Sequence, residues 1–337
     1  MLFRSPQTAV RVRFATNEPT PWPPELPAGE NPPPGAILDY YLPRDVSGTV
    51  SLQIIDVAGH VVRSYSSDDR PPQPDAGIDP TAYNTVCQQT PNAPHCAFPL
   101  YWAAPTPSIS TKAGMHRFSW DMHYDPIVSE GVAPGEPETG AVPHRTYLSV
   151  NSPWAAPGGY TVRLSADGRS VTQPITVRLD PRVRATAAGL AQLATLTKEM
   201  YAGAVSLHTD YMDARALVVA LQNLPGADLV AFRAQVESLA PAPARGARAG
   251  RGGGFGRGGG PAAPPTLESA SAAMLSAAMA MQDAEATPTS TQVAAAEKAR
   301  MMGAGVTKSW TALSTGGLAA LNARRKAAGL PTVTFRK

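Results

Sequence analysis

The chain carries little net charge, few cysteines and no long apolar run, and each shortage removes a class of protein. No stretch of roughly 18 or more apolar residues occurs, which excludes a transmembrane helix. A net charge of +3, from 29 basic and 26 acidic residues spread along the chain, supplies no global field for nucleic acid or an anionic membrane. The N-terminus, Met1-Leu-Phe-Arg-Ser-Pro-Gln7, lacks the basic and apolar regions of a signal peptide. Because Gln7 to Phe14 already alternates like a strand, the chain is expected to begin inside a longer protein, with its first residues foreign to it. Motif-borne chemistry is missing too: there is no Gly-x-Ser-x-Gly elbow, Walker loop, His-Glu-x-x-His or dinucleotide glycine fingerprint.

The two cysteines, Cys87 and Cys96, fall in a stretch read as a Pro-rich loop. The leading expectation is a disulfide that pins this loop, which would place the protein in an oxidising compartment. Two unrelated thiols are the alternative. A metal site with His95 is disfavoured, because adjacent His95 and Cys96 cannot easily face one ion and a fourth ligand is missing.

Proline and glycine are abundant, at 35 and 29 residues, so part of the chain must be loop while the remainder is compact. The length suggests about two domains. Residues 1–35 read as an N-terminal strand and a Pro-rich linker. Residues 36–181 read as an antiparallel β-sandwich. Its strands are expected at Ala36 to Leu42, Val50 to Asp56 and His60 to Tyr65, forming a three-strand meander, then at Met115 to Met122 with Phe118 and Trp120 facing the core. Residues 66–112 form a long surface insertion between them. Further strands are expected at Arg145 to Val150, Gly159 to Leu164 and Gln173 to Leu179, with Asp167-Gly168 as a hairpin turn.

After Asp180-Pro181 the period changes from two to about 3.6. Leu190, Leu193, Leu196, Met200, Ala204, Leu207, Tyr211, Val218 and Leu221 share one stripe of a long helix from about Ala185 to Leu224. Further helices are expected at Asp228 to Leu239, Leu267 to Ala284 and Thr291 to Ala328, with Gly303, Gly305, Gly316 and Gly317 weakening or breaking the last. Residues 182–337 therefore read as an all-α bundle or set of helical hairpins. It is interrupted at 241–265 by a Gly/Arg-rich segment that cannot bury apolar area and reads as a connector, with nucleic-acid contact the lesser reading.

The nearest approach to a site is Asp121-Met-His-Tyr-Asp125, with Asp121 and His123 on one face of a strand and Asp125 in the loop beyond. This trio could bind a metal or form an acid/base pair, but the plain reading is a hydrogen-bond cluster at a strand end. Glu130, Glu136 and Glu138 sit in a Pro/Gly loop without a scaffold for glycosidic cleavage. Asp39 and Asp56 are read as turn caps. Trp22, Trp102 and Trp154 lie in Pro-rich loops and could stack on sugar rings or cover sandwich edges. Met274, Met279, Met281, Met301 and Met302 read as adaptable helix core. No catalytic residue, metal or cofactor is expected.

Several segments carry a family resemblance. Arg11-Val-Arg-Phe-Ala-Thr-Asn17, Gly29 to Leu42, Phe118-Ser-Trp-Asp121, Pro157-Gly-Gly-Tyr-Thr-Val-Arg-Leu164, Leu179-Asp-Pro-Arg-Val183 and Leu318 to Pro331 resemble the C-terminal part of large bacterial proteins. Those proteins carry sortilin-like, BNR-repeat β-propellers and are commonly called glycosyl hydrolases. Asp56-Val-Ala-Gly59 and Trp120-Asp121 are also similar to the Ig-like module of flagellar hook-cap proteins. The propeller blades and their Ser-x-Asp-x-Gly-x-x-Trp boxes are missing from this sequence, so no catalytic residue is carried over. The resemblance implies an α+β chain, an Ig-like sandwich followed by a helical domain, that is extracellular, periplasmic or envelope-associated. It implies a non-catalytic accessory role beside an upstream propeller. The alternatives are a carbohydrate- or cell-wall-binding module, with polysaccharide as partner, and a weak hydrolase.

Overall fold

A computed structural model describes residues 2–3, 8–12, 35–69, 80–89, 108–127, 152–222, 224–242 and 264–335. The chain mixes sheet and helix, and divides into two compact units: 1–126 with 132–184, and 127–131 with 185–337.

Among the described residues the first unit holds eight strands: β1 (Leu2–Phe3), β2 (Thr8–Arg11), β3 (Ala36–Leu42), β4 (Ser51–Asp56), β5 (Val61–Ser66), β6 (Gly114–Trp120), β7 (Gly158–Ala166) and β8 (Arg169–Leu179). They form a three-stranded sheet in the order β1-β3-β6 and a five-stranded sheet in the order β2-β8-β7-β4-β5. Alternation writes these strands: Ala36, Leu38, Tyr40 and Leu42 are buried along β3, and Leu52 and Ile54 along β4. These inward residues join Phe118, Trp120, Tyr160, Val162, Leu164, Ile175 and Val177 in one hydrophobic cluster drawn from both sheets.

The expected three-strand meander is not formed. β3 pairs antiparallel with β6, Leu38 opposite Phe118, while β4 pairs with β5 and β7 in the other sheet. The segment after β3 therefore crosses between sheets rather than turning back. Alternation marks a strand but carries no label for its neighbour, which is set by which faces meet in the core. Asp39 is likewise not a turn cap: it lies mid-strand opposite Arg117, which donates to both its carboxylate oxygens at 2.8 and 2.9 Å. Asp56 does cap its turn, its Oδ1 accepting from the backbone N–H groups of Ala58 and His60.

The β7–β8 hairpin turns through Asp167 and Gly168 with φ of 49° and 69°, the left-handed pair that suits the twist of the flanking strands. Within the stretch read as a long surface insertion, Pro80–Gln89 forms helix α1, so Cys87 is on a helix rather than in a loop. The side chain of Cys87, all of Cys96, and the strand expected at Arg145 to Val150 lie outside the described residues, as do most of the Pro-rich linker and of the Gly/Arg-rich segment.

The second unit contains α2 (Ala187–Gln222), α3 (Asp228–Leu239), α4 (Leu267–Ala280), α5 (Ser290–Ala312) and α6 (Leu318–Ala327), with a single π turn at Leu313–Gly317 between the last two. Gly316 and Gly317 mark that irregularity, whereas Gly303 and Gly305 sit inside α5 without breaking it. α4 and α5 each begin in a capping box, Thr266 with Ser269 and Thr289 with Gln292, which satisfies backbone donors left open at a helix start.

Leu193, Met200, Ala204, Leu207, Tyr211, Leu217 and Leu221 of α2 line a core shared with α3 to α6. Met274 of α4 fills the space left by two glycines: a Cβ at Gly203 of α2 would meet its Cε at 2.4 Å, and one at Gly303 of α5 its Sδ at 3.3 Å. Met274 and Met281 are thus core residues, but Met301 is not, being 70% exposed.

Arg325, whose side chain is fully buried, ties the far end of this unit together. Its Nη1 donates to both oxygens of Asp228 at 2.8 and 2.9 Å, its Nη2 to the Pro225 carbonyl and its Nε to the Pro331 carbonyl. The segment after α6 is held further by Asn322, which exchanges two hydrogen bonds with the backbone of Val333.

Two substitutions check these cores. Trp120→Ala empties a fully buried site and is expected to lower stability by about 3–5 kcal/mol, read from the urea midpoint. Arg325→Met leaves Asp228 and two carbonyls without their donor; since Asp228 keeps 34% exposure, the expected loss is about 3 kcal/mol, the low end for a broken buried pair. An unshifted midpoint for either variant contradicts the packing described.

Candidate functional site

The polar cluster read from Asp121 to Asp125 does assemble, around a residue that the sequence reading passed over. β6 ends at Trp120, and Met122 adopts φ of 60°, unusual for a residue with a Cβ. This kink stops the strand alternation, so Met122 and His123 are buried in succession rather than on opposite faces. The chain then runs between two neighbours. On one side Ala155 N donates to Met122 O and Tyr124 N to Pro153 O; on the other Asp125 N donates to Val62 O of β5.

Arg63 of β5 enters this bend. Its side chain is only 12% exposed, its Nη1 donates to Tyr124 O at 2.9 Å, and its Nη2 donates to Asp121 Oδ2 at 3.4 Å. Its Nε makes no hydrogen bond and faces Asp125 Oδ1 at 3.7 Å. The guanidinium also lies 5.0 Å from the centre of the Tyr65 ring, a cation–π arrangement. Arg63 is thus a nearly buried cation balanced by two carboxylates.

Several polar atoms of the three predicted residues are engaged within the protein. Asp121 Oδ1 accepts from His123 N at 3.0 Å. The imidazole Nδ1–H of His123 donates to the Asp121 carbonyl at 2.9 Å, which fixes the tautomer because a carbonyl can only accept. The distance from that nitrogen to the Asp121 carboxylate is 3.9 Å, beyond a hydrogen bond, so the pair is not set as a proton relay. Asp125 Oδ1 accepts from Ser64 N at 3.2 Å.

Burial pushes the His123 pKa below its ordinary value of 6.5, against the opposing pull of Asp121, so the folded state favours the neutral ring. Burial likewise pushes Asp125 up, against Ser64 N–H and Arg63. Among the described residues, no group of three or more His, Cys, Asp or Glu is placed to hold a metal ion.

Trp154 joins the cluster. Its ring lies 4.1 Å from that of His123 at a tilt of 37°, and the Arg11 guanidinium lies 5.7 Å from its centre. It packs half-buried against the core shared by the two sheets. Trp22 and Trp102 lie outside the described residues.

No local motif singles out Arg63, Tyr65 or Arg11 as part of this cluster. The available signal is charge: a lone arginine in the strand Val61-Val62-Arg63-Ser64-Tyr65 needs an anion once it is buried, although sequence does not say which. Its separation of about sixty residues from Asp121 and Asp125 hides the pairing.

The His123 environment makes stability depend on pH. The folded pKa lies below the unfolded one, so the unfolded chain binds the proton more readily, and stability is lost as pH falls from about 7 through 6.5 toward the folded value. Asp125 acts with the opposite sign, its raised pKa favouring the folded state only in the acidic carboxylate range. The wild-type melting midpoint is therefore expected to fall between about pH 7.5 and 5.5. His123→Asn, which keeps a donor for the Asp121 carbonyl, should fall less over that interval. Equal slopes would mean that His123 does not carry the effect.

Among the described residues no helix is long and apolar enough to cross a membrane. Comparison of the chain with protein-family models, curated proteins and solved structures returned no match.

Proposed function

We propose that this chain is a non-catalytic accessory segment, an Ig-like β-sandwich followed by a helical bundle, that braces or presents another domain of a secreted or envelope-associated protein. The family resemblance points to an upstream β-propeller as that domain. The observation that carries the reading is the state of the candidate site found among the described residues: Asp121, His123 and Asp125 are bound to Arg63 and to backbone groups, and Trp154 is packed on His123. A cluster built in this way holds a loop against a sheet. It does not offer a paired acid and base to a substrate.

The Ig-like part of the reading draws support from topology. Taking β1, β3 and β6 as strands A, B and E, and β2, β8, β7, β4 and β5 as A′, G, F, C and C′, reproduces the division of strands typical of such sandwiches. Tyr160 near the start of β7 donates its hydroxyl hydrogen to the carbonyl of Ala156 four residues upstream, which parallels the tyrosine corner of Ig domains. Two features depart from the antibody pattern: none of these strands carries a cysteine, and the buried tryptophan is on β6 rather than on the C-equivalent strand.

Bracing and glycan binding predict different behaviour in a polysaccharide gel. The isolated chain is expected to migrate unretarded in affinity electrophoresis against plant, fungal and bacterial-wall polysaccharides, and to release no reducing sugar from them. Retardation by any one of these polymers would favour the binding-module reading. Hydrolysis abolished by Asp121→Asn or His123→Ala would instead establish an enzyme.

A further inference from the structure

Among the described residues, the outer edge of β5 is where the five-stranded sheet would accept another strand, since β5 ends the order β2-β8-β7-β4-β5. An open edge of this kind templates pairing between chains, and natural sheets blunt it with lysine, proline, bulges or a covering segment. β5 itself contains neither lysine nor proline, but its register against β4 shifts between Ile54 and Ile55, an irregularity opposite Val61 to Arg63, and it carries the nearly buried charge of Arg63. The residues at alternate positions along it, Val62, Ser64 and Ser66, are small and uncharged.

Part of this edge is instead occupied from within the chain. Val62 O accepts from Asp125 N at 3.1 Å, and Ser64 N donates to Asp125 Oδ1 at 3.2 Å. Farther along, Ser66 N donates to Asp69 Oδ2 at 2.7 Å, and Ser66 O accepts from Asp69 N at 3.1 Å. Each aspartate therefore presents one backbone donor and one carboxylate acceptor to the edge, the pair of groups that an incoming strand would bring. Asp125 is held in this position by the bend after Trp120 and by Arg63, and Asp69 by the turn that follows β5.

We propose that Asp69 and Asp125 are edge guards, which occupy the outward hydrogen-bonding row of β5 and so keep the sheet from extending into a second copy of this chain. The polar cluster then has a role beyond holding its own loop: it closes the site at which the sheet would self-associate. This role is independent of the accessory reading above.

The test compares the full wild-type chain with Asp69→Ala/Asp125→Ala by sedimentation velocity over about a hundredfold range of concentration. The double variant should gain a dimer that grows with concentration, and adding Ser64→Lys to it should remove that gain. In Asp125→Ala alone, the Ser64 amide should exchange with solvent roughly tenfold faster while that of Val162, in the core strand β7, is unchanged. Should the double variant fail to fold, the two single alanine variants are judged by the same association and exchange measurements. Association that matches wild type at every concentration overturns the proposal. So does faster exchange without added association, because the edge would then be open and still unoccupied.

Discussion

Trp120 is removed from solvent completely, and an indole N–H taken out of water costs about 1–3 kcal/mol unless it finds an acceptor. The acceptor is the carbonyl of His123, at 3.1 Å, three residues along the same chain. To place that carbonyl under the indole, the chain must bend sharply after β6, and Met122 takes up the bend in a left-handed conformation. Once bent, the chain passes between β5 and the segment around Trp154. The arrangement of His123, Asp121 and Asp125 around Arg63 follows from this single requirement.

The helical unit answers a different constraint by a similar means. Its long α2 brings few aromatic residues to the core, and close approach replaces bulk: Gly203 and Gly303 let Met274 lie between their helices. The polar groups that this packing buries are paired. Trp310 donates its indole hydrogen to Asp210 at 3.2 Å, Ser271 donates to the carbonyl of Ala204 across the α2–α4 contact, and Arg325 satisfies Asp228 and two carbonyls. Buried polar groups with partners specify one arrangement of the helices more sharply than apolar contact alone.

The polar cluster directs its hydrogen-bonding atoms mainly to partners within the protein. A catalytic carboxylate or imidazole keeps a lone pair or a proton facing a cleft. Here one Asp121 oxygen faces Arg63 and the other a backbone N–H, the His123 Nδ1 proton faces a carbonyl, and Asp125 faces the edge of β5. The same three residue types that suggest acid/base chemistry in a linear reading serve to anchor a bend and finish a sheet. Burial that lowers the His123 pKa is a by-product of that anchoring.

Local pattern was enough for most elements. The period-two runs at Ala36 to Leu42 and Gly159 to Leu164, the Asp167-Gly168 turn and the 3.6-residue stripe from Leu193 to Leu221 are each written in neighbouring residues, because backbone geometry repeats over two or about four positions. The sequence by itself therefore determined where strands give way to helices near Asp180, that Trp120 belongs inside, and that α3 spans Asp228–Leu239. Tertiary structure alone decided that β3 pairs with β6 rather than β4, that Asp39 meets Arg117, and that Arg63 gathers Asp121 and Asp125. The physical reason is separation: these partners lie about sixty to eighty residues apart, and their pairing is chosen by which faces the two sheets bury together, a choice no local repeat records.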